Sequence, residues 1–285
     1  MTPIGIFDSG FGGLSIYREI HQLLPEYDYI YLGDNERAPY GDRSFDEVFS
    51  FTKQAVERLF DMGCPLVILA CNTASAKALR NIQQRYLPYT SDPSRRVLGV
   101  IRPTAERVEQ LTYSGHIGVI ATRATISSQS YEMELEKIPT GFRMDFQPLV
   151  VNSHACPDWV PMIEAGLQNS KELHDIVYAD LKELLDKDPA IDAIILGCTH
   201  YPLITGLIQN VLQELDHPEI ILMPQGKPVA YALQEWLRRH GEMRERLTAN
   251  GQSQFYTTGD PDAFARLGSM FIGHGRQICA EKLNW

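Results

Sequence analysis

A chain of 285 residues, 44% hydrophobic and 22% charged, is long enough to bury two modest cores and has an ordinary globular composition. The formal net charge of −10 excludes a broad nucleic-acid footprint, which needs lysine and arginine clustered on one face; Arg95-Arg96 and Arg238-Arg239 are isolated pairs. No apolar run approaches the roughly 20 residues that span a bilayer, and five cysteines with no leader pattern ahead of Ile4 point to reduced thiols in the cytoplasm.

Ile4-Gly5-Ile6-Phe7 reads as a short strand. It runs into the glycine-rich turn Asp8-Ser9-Gly10-Phe11-Gly12-Gly13 and a helix with Leu14, Tyr17, Ile20 and Leu24 on one face, ended by Pro25. Tyr29 to Leu32 is the next strand and delivers Gly33-Asp34 to the same edge, completing a βαβ unit. Pro39 and Gly41 supply turn chemistry around Tyr40. Ser44 with Glu47 forms a capping-box pattern ahead of an amphipathic helix that Gly63 closes. The apolar run Leu66-Val67-Ile68-Leu69-Ala70 then ends at Cys71-Asn72-Thr73. A helix over 73–86, a polar loop over 90–96, a strand over 97–101 and a helix opened by Pro103 follow.

His116 to Ala121 reads as a fresh first strand. Ile117-Gly118-Val119 echoes Ile4-Gly5-Ile6, and Thr122-Arg123-Ala124-Thr125 stands where Asp8-Ser9-Gly10 stood. A strand over 144–151, a loop over 152–157, a short helix over 158–166 that includes Glu164, and an amphipathic helix over 170–185 lead to a second apolar run, Ala193 to Leu196. That run ends at Gly197-Cys198-Thr199-His200, the counterpart of Cys71. Beyond it the pattern predicts a helix after Pro202, a strand over 219–223, a helix over 229–237, a strand over 254–257 and a helix over 262–271. Repetition of a whole supersecondary pattern predicts an α/β protein of two similar domains, each a mostly parallel sheet flanked by helices, with the active site in the cleft between them. If the late strands return to the first sheet, one domain is 1–101 plus 212–285 and the other is 102–211.

Both thiols stand at a strand-to-helix junction, the edge where parallel sheets keep their chemistry. The positive end of the following helix should favour the thiolate. Rival chemistries fare worse. The glycine loop imitates a dinucleotide fingerprint, but its third glycine position is Ser15 and Asp8 puts a carboxylate where a pyrophosphate would lie. Cys198, His200, His154, Cys156 and Cys71 are possible metal ligands, yet Cys-x-His and His-x-Cys lack the usual spacing of such sites, so no metal and no cofactor are expected. Schiff-base chemistry has no lysine at a comparable strand end. What remains is an acid/base pair, one thiolate and one thiol, able to take a proton from one face of a carbon and return one to the other. The pocket residues say small dicarboxylate or amino acid and no more; a non-catalytic amino-acid-binding module is the alternative of a different class. Cys64 and Cys279 read as structural, and Cys156 is left open.

Gly5-Ile6-Phe7-Asp8-Ser9-Gly10-Phe11-Gly12-Gly13, Pro39-Tyr40-Gly41, Cys71-Asn72-Thr73-Ala74 and Gly197-Cys198-Thr199-His200-Tyr201-Pro202-Leu203 together resemble the cofactor-independent glutamate racemases of the aspartate/glutamate racemase superfamily, from residue 4 to about residue 270. The resemblance implies interconversion of L- and D-glutamate, supplying D-glutamate for peptidoglycan and so for cell-wall growth and cell shape, in a cytoplasmic homodimer. It implies that Cys71 acts on the D-enantiomer and Cys198 on the L-enantiomer. Asp8 would assist the first thiol, and His200 with Glu164 the second. Asp8, Ser9, Tyr40, Gly41, Asn72, Thr73, Thr199 and His200 match substrate contacts, with Thr122 a further candidate. Cys-Thr-His followed by Tyr-Pro looks like the glutamate branch, with an aspartate racemase as the alternative. The stretch Met223-Pro224-Gln225-Gly226-Lys227-Pro228 departs from the family's pattern.

Overall fold

The computed structural model describes residues 2–138, 148–273 and 278–285. It divides into two compact units, residues 1–100 with 226–285 and residues 101–225.

The first unit is a six-stranded sheet built from β1 (Ile4–Asp8), β2 (Tyr29–Gly33), β3 (Leu66–Leu69), β4 (Arg96–Gly99), β9 (Ser253–Thr257) and β10 (Ala280–Lys282), in the order β10-β9-β2-β1-β3-β4. Every pairing is parallel. The central strands are buried along their whole length, as parallel strands covered on both faces must be, which is why they read as continuous apolar runs rather than alternating ones. The helix Phe45–Asp61 packs over β1, β2 and β3. Its start is fixed as the sequence predicts: the Ser44 hydroxyl accepts from the Glu47 N–H while the Glu47 carboxylate accepts from the Ser44 N–H. On the other side Leu14–Leu23 packs against Gly226–Arg239 and Pro261–Ile272, so the tail of the chain completes the unit begun at the head.

The second unit is a four-stranded sheet of β5 (His116–Ala121), β6 (Val150–Ala155), β7 (Ala193–Leu196) and β8 (Ile221–Met223), in the order β6-β5-β7-β8 and again all parallel. The helices Lys171–Lys187 and Thr205–Glu214 pack on one another, and the first lies against β6. Leu173, Val177, Leu181, Leu184 and Leu185 on Lys171–Lys187 join Ile194, Leu196, Ile208 and Val211 in one buried cluster. The echo in the sequence is an echo in topology. The strand before Cys71 neighbours β1, and the strand before Cys198 neighbours β5.

The fold class is as expected, and several boundaries move. β8 pairs with β7, so the expected strand over 219–223 belongs to the second sheet and the chain returns to the first unit at Gly226, not near residue 212. The expected helix over 73–86 is broken at Ala78 into Asn72–Lys77 and Leu79–Asn81, followed by a wider π turn over Ile82–Tyr86 and a 3-10 turn at Leu87–Tyr89 containing Pro88. Residues 144–147 of the predicted strand over 144–151 lie outside the described residues; β6 starts at Val150 and runs on through the residues read as a loop, to Ala155. β10 went unpredicted. Among the described residues no helix is long and apolar enough to cross a membrane.

Candidate active site

In the first unit, β1 carries Asp8 to the C-terminal edge of the sheet, where it is buried. The chain then turns so tightly that the Gly10 N–H donates to Asp8 Oδ2 at 3.0 Å. None of Gly10, Gly12 and Gly13 has a positive φ. The glycine at 13 is required by space: a Cβ there would stand 2.5 Å from the Asp8 Cβ and 2.9 Å from the Tyr31 hydroxyl. Gly13→Ala is therefore expected to push the Asp8 carboxylate aside. Catalytic efficiency should fall on the order of 100-fold, with far-ultraviolet circular dichroism unchanged; an alanine variant of full activity would show that Asp8 need not hold this position.

β3 delivers Cys71 to the same edge, as the cap of the helix Asn72–Lys77. Its Sγ accepts from the Ala74 N–H at 3.4 Å and lies 3.5 Å from the Ser9 hydroxyl. Asn72 and Thr73 are buried in the first turn of that helix. Here the ionisation expected from the sequence is corrected. Burial dominates, the Asp8 charge adds to it, and together they push the Cys71 thiol up to about 12 against the weaker pull of the Ser9 and Ala74 hydrogen bonds. A six-residue helix supplies too little positive potential to offset desolvation. Cys71 at rest is a neutral thiol.

Tyr40 follows the cis Ala38–Pro39 peptide and is buried. Its hydroxyl donates to Asp34 Oδ2, which also accepts from Arg37 Nε at 2.6 Å, while Asp34 Oδ1 accepts from the Thr258 hydroxyl at 2.9 Å. Asp34, noted in the sequence only as the residue the second strand delivers to the sheet edge, is thus the anchor of the loop that carries Tyr40 and Gly41. Nothing in the local sequence marks Thr258 as its partner, because the two are 224 positions apart.

In the second unit, β7 ends at Leu196, and the chain passes through Gly197, where an added Cβ would meet the Ala121 Cβ and the Ile120 carbonyl oxygen at 2.9 Å, to present Cys198. The Cys198 Sγ lies 3.9 Å from His200 Nδ1, and His200 Nε2 lies 2.9 Å from Glu164 Oε1. Glu164 is the last residue of the helix Trp159–Glu164 and is partly exposed, whereas His200 and Thr199 are buried. Burial opposes charge on His200, but the Cys198 sulfur on one side and the Glu164 carboxylate on the other outweigh it and raise its pKa to about 10. The imidazole is thus held as a cation between two acceptors. Thr122 caps its own short helix, accepting from the Thr125 N–H. Tyr131 and Gln225, which the sequence did not single out, form a buried hydrogen-bonded group: Gln225 Nε2 donates to the Tyr131 hydroxyl at 2.6 Å and to Thr104 Oγ1 at 3.2 Å. Within the atypical 223–228 stretch, Gln225 is thereby tied to the interior of the second unit.

The structure thus groups Asp8, Ser9, Asn72 and Thr73 around Cys71, and Thr199, His200 and Glu164 around Cys198. Each group pairs a thiol at the end of a parallel strand with a carboxylate, directly in one case and through an imidazole in the other. Thiols held beside acid–base groups on parallel-sheet α/β units are what the racemase class carries. The chain belongs to the Asp/Glu/hydantoin racemase family, whose model matches residues 4–222. It is an isomerase, as its relatives are. The glutamate racemase of Paracoccus denitrificans is 37% identical over 281 residues, covering 95% of this chain and 97% of that protein. Among solved structures, a glutamate racemase isoform of Bacillus anthracis superposes with a TM-score of 0.85 at 35% identity, covering 99% of this chain and 97% of that one. The glutamate racemase of Francisella tularensis, solved in complex with D-glutamate, gives 0.83 at 32% identity over the same shares.

Proposed function

We propose that the protein interconverts L- and D-glutamate by a two-base 1,1-proton transfer, with Cys198 removing the Cα proton of the L-enantiomer and Cys71 that of the D-enantiomer. The observation that carries this reading is the matched placing of two thiols after equivalent strands, each with an acid–base partner beside it, Asp8 for Cys71 and His200 for Cys198. Cys71 is a neutral thiol, ready to give a proton. Cys198 faces a cationic His200 3.9 Å away, so a positive charge stands beside the sulfur that is to take one.

In the L-to-D direction the Cys198 sulfur takes the Cα proton and the Cys71 S–H delivers its own to the other face. The enzyme is left with the two charges exchanged. The burial that disfavours a Cys71 thiolate makes it a strong base once formed, which suits the reverse step. Backbone N–H groups and the side chains of Ser9, Asn72, Thr73 and Thr199 are neutral donors, able to bind the substrate carboxylates without placing a cation beside Cys71. Tyr40 and Gly41 complete the substrate contacts through the loop that Asp34 holds. The relatives' name supports glutamate as the substrate, and D-glutamate bound to the Francisella enzyme supports it further. The same reading assigns the product to peptidoglycan synthesis in the cytoplasm and the protein to a homodimer, for which light scattering should give twice the chain mass.

The test is a substrate panel in D₂O. L- and D-glutamate should each lose their Cα proton signal and lose their optical activity, while aspartate should do neither. Exchange with aspartate but not glutamate would transfer the assignment to the aspartate branch, and saturable binding of glutamate without exchange would make the protein a binding module.

A further inference from the structure

The sequence argued against a metal because His154-x-Cys156 is a pair with no third ligand at a recognised spacing. The fold supplies one. Residues two apart in extended chain face the same way, and the helix Lys171–Lys187 lies against β6, which holds His154 and ends one residue before Cys156. That helix brings Asp180 to them. One donor atom from each of His154, Cys156 and Asp180 lies within 4.8 Å of the others.

We propose that His154, Cys156 and Asp180 form a binding site for a borderline divalent transition-metal ion of the Zn²⁺ type, separate from the racemisation chemistry. One imidazole, one sulfur and one carboxylate is a donor set that suits Zn²⁺ and its Co²⁺ analogue and suits Mg²⁺ and Ca²⁺ poorly. The surrounding groups are those that orient metal ligands. Asp180 Oδ2 accepts from the Trp159 indole N–H at 2.7 Å, which leaves Oδ1, 3.0 Å from His154 Nε2, as the atom turned to the cluster. The other ring nitrogen of His154 lies 3.7 Å from a Glu183 carboxylate oxygen one turn along the same helix. The site is largely closed: the His154 side chain is 9% exposed and that of Asp180 21%, and Cys156 is fully buried.

A metal–sulfur bond forms here only as Cys156 gives its proton to solvent. Binding therefore releases a proton and should strengthen as pH rises. The ion would tie the end of β6 to the helix over it. No ligand is shared with Cys198, although the Cys156 carbonyl accepts from the Tyr201 hydroxyl at 3.0 Å next to His200.

Titration of the full-length, reduced protein with CoCl₂, followed by ZnCl₂ displacement, tests the proposal. The expected result is one Co²⁺ per chain with a cobalt–thiolate charge-transfer band, displaced by Zn²⁺. Cys156→Ser should abolish the band. Asp180→Asn, which keeps an oxygen for the Trp159 indole, should weaken binding by about 10-fold or more. The Cys71→Ser/Cys198→Ser double variant should bind as the parent does. Absence of any thiolate band, or a band that persists in Cys156→Ser and vanishes in the double variant, would overturn it and leave His154 and Asp180 as a plain hydrogen-bonded pair. Neither outcome depends on the protein being active on glutamate.

Discussion

Replacing either Cys71 or Cys198 with alanine is expected to lower racemisation on the order of 10⁴-fold while leaving half of the proton chemistry intact. On the proposed two-base mechanism the two effects separate. With Cys71 gone, Cys198 and its cationic His200 can still take the Cα proton of L-glutamate, but nothing waits on the other face to deliver one. The carbanion is reprotonated from the side it left. In D₂O, Cys71→Ala should therefore exchange the Cα hydrogen of L-glutamate without inverting it and leave D-glutamate untouched. Cys198→Ala should do the converse, and more slowly at the start, since Cys71 must first lose a proton that burial holds tightly. Proton NMR of the Cα signal together with polarimetry gives both quantities in one sample. Exchange of the wrong enantiomer by either variant would reverse the assignment of faces, and undiminished racemisation by either would remove that sulfur from the mechanism. Cys71 and Cys198 are small buried side chains, so the loss of sulfur should cost only about 1–3 kcal/mol of stability and the variants should fold.

How much of this was readable in the chain alone follows from the range of the forces involved. Strand ends and helix starts are local. The apolar runs before Cys71 and Cys198 gave two buried strands, and Ser44 with Glu47 gave the start of the following helix, because neighbours in sequence decide those features. The equivalence of the halves was legible for the same reason, in the repeat of Ile4-Gly5-Ile6 as Ile117-Gly118-Val119. What failed depends on packing. Residues 221–223 form a good strand in either sheet, and only their partner, β7, decides which. Asp34 meets Thr258, and Asp180 meets Trp159 and His154, across separations that no local pattern encodes. The ionisation of Cys71 went the wrong way because a helix N-terminus is visible in sequence and desolvation is not; the larger effect was the hidden one.

His200→Asn is the second large expected effect, and the symmetry of the reaction dictates how to look for it. Enantiomers in water have equal free energy, so kcat/KM must fall equally in both directions whatever side the damage is on. A loss of about 100- to 1000-fold is expected from removing the buried cation beside Cys198, with Glu164→Gln, at a partly exposed position, losing about 10-fold. Sidedness appears in isotope effects instead. With proton transfer at Cys198 made rate-limiting, the deuterium effect should grow for L-glutamate labelled at Cα and shrink toward unity for the labelled D-enantiomer. Equal effects for both would mean that His200 shapes the fold and does not assist Cys198. The pH dependence of stability gives an independent check. The folded pKa of His200, about 10, lies above the ordinary 6.5, so the protonated imidazole adds stability that is complete below about pH 6.5 and is lost as pH rises through 10. The difference in melting temperature between the parent and His200→Asn should accordingly be largest near pH 6 and close toward pH 10. A difference that widened with pH would mean that the imidazole is held neutral and supplies no positive charge beside Cys198.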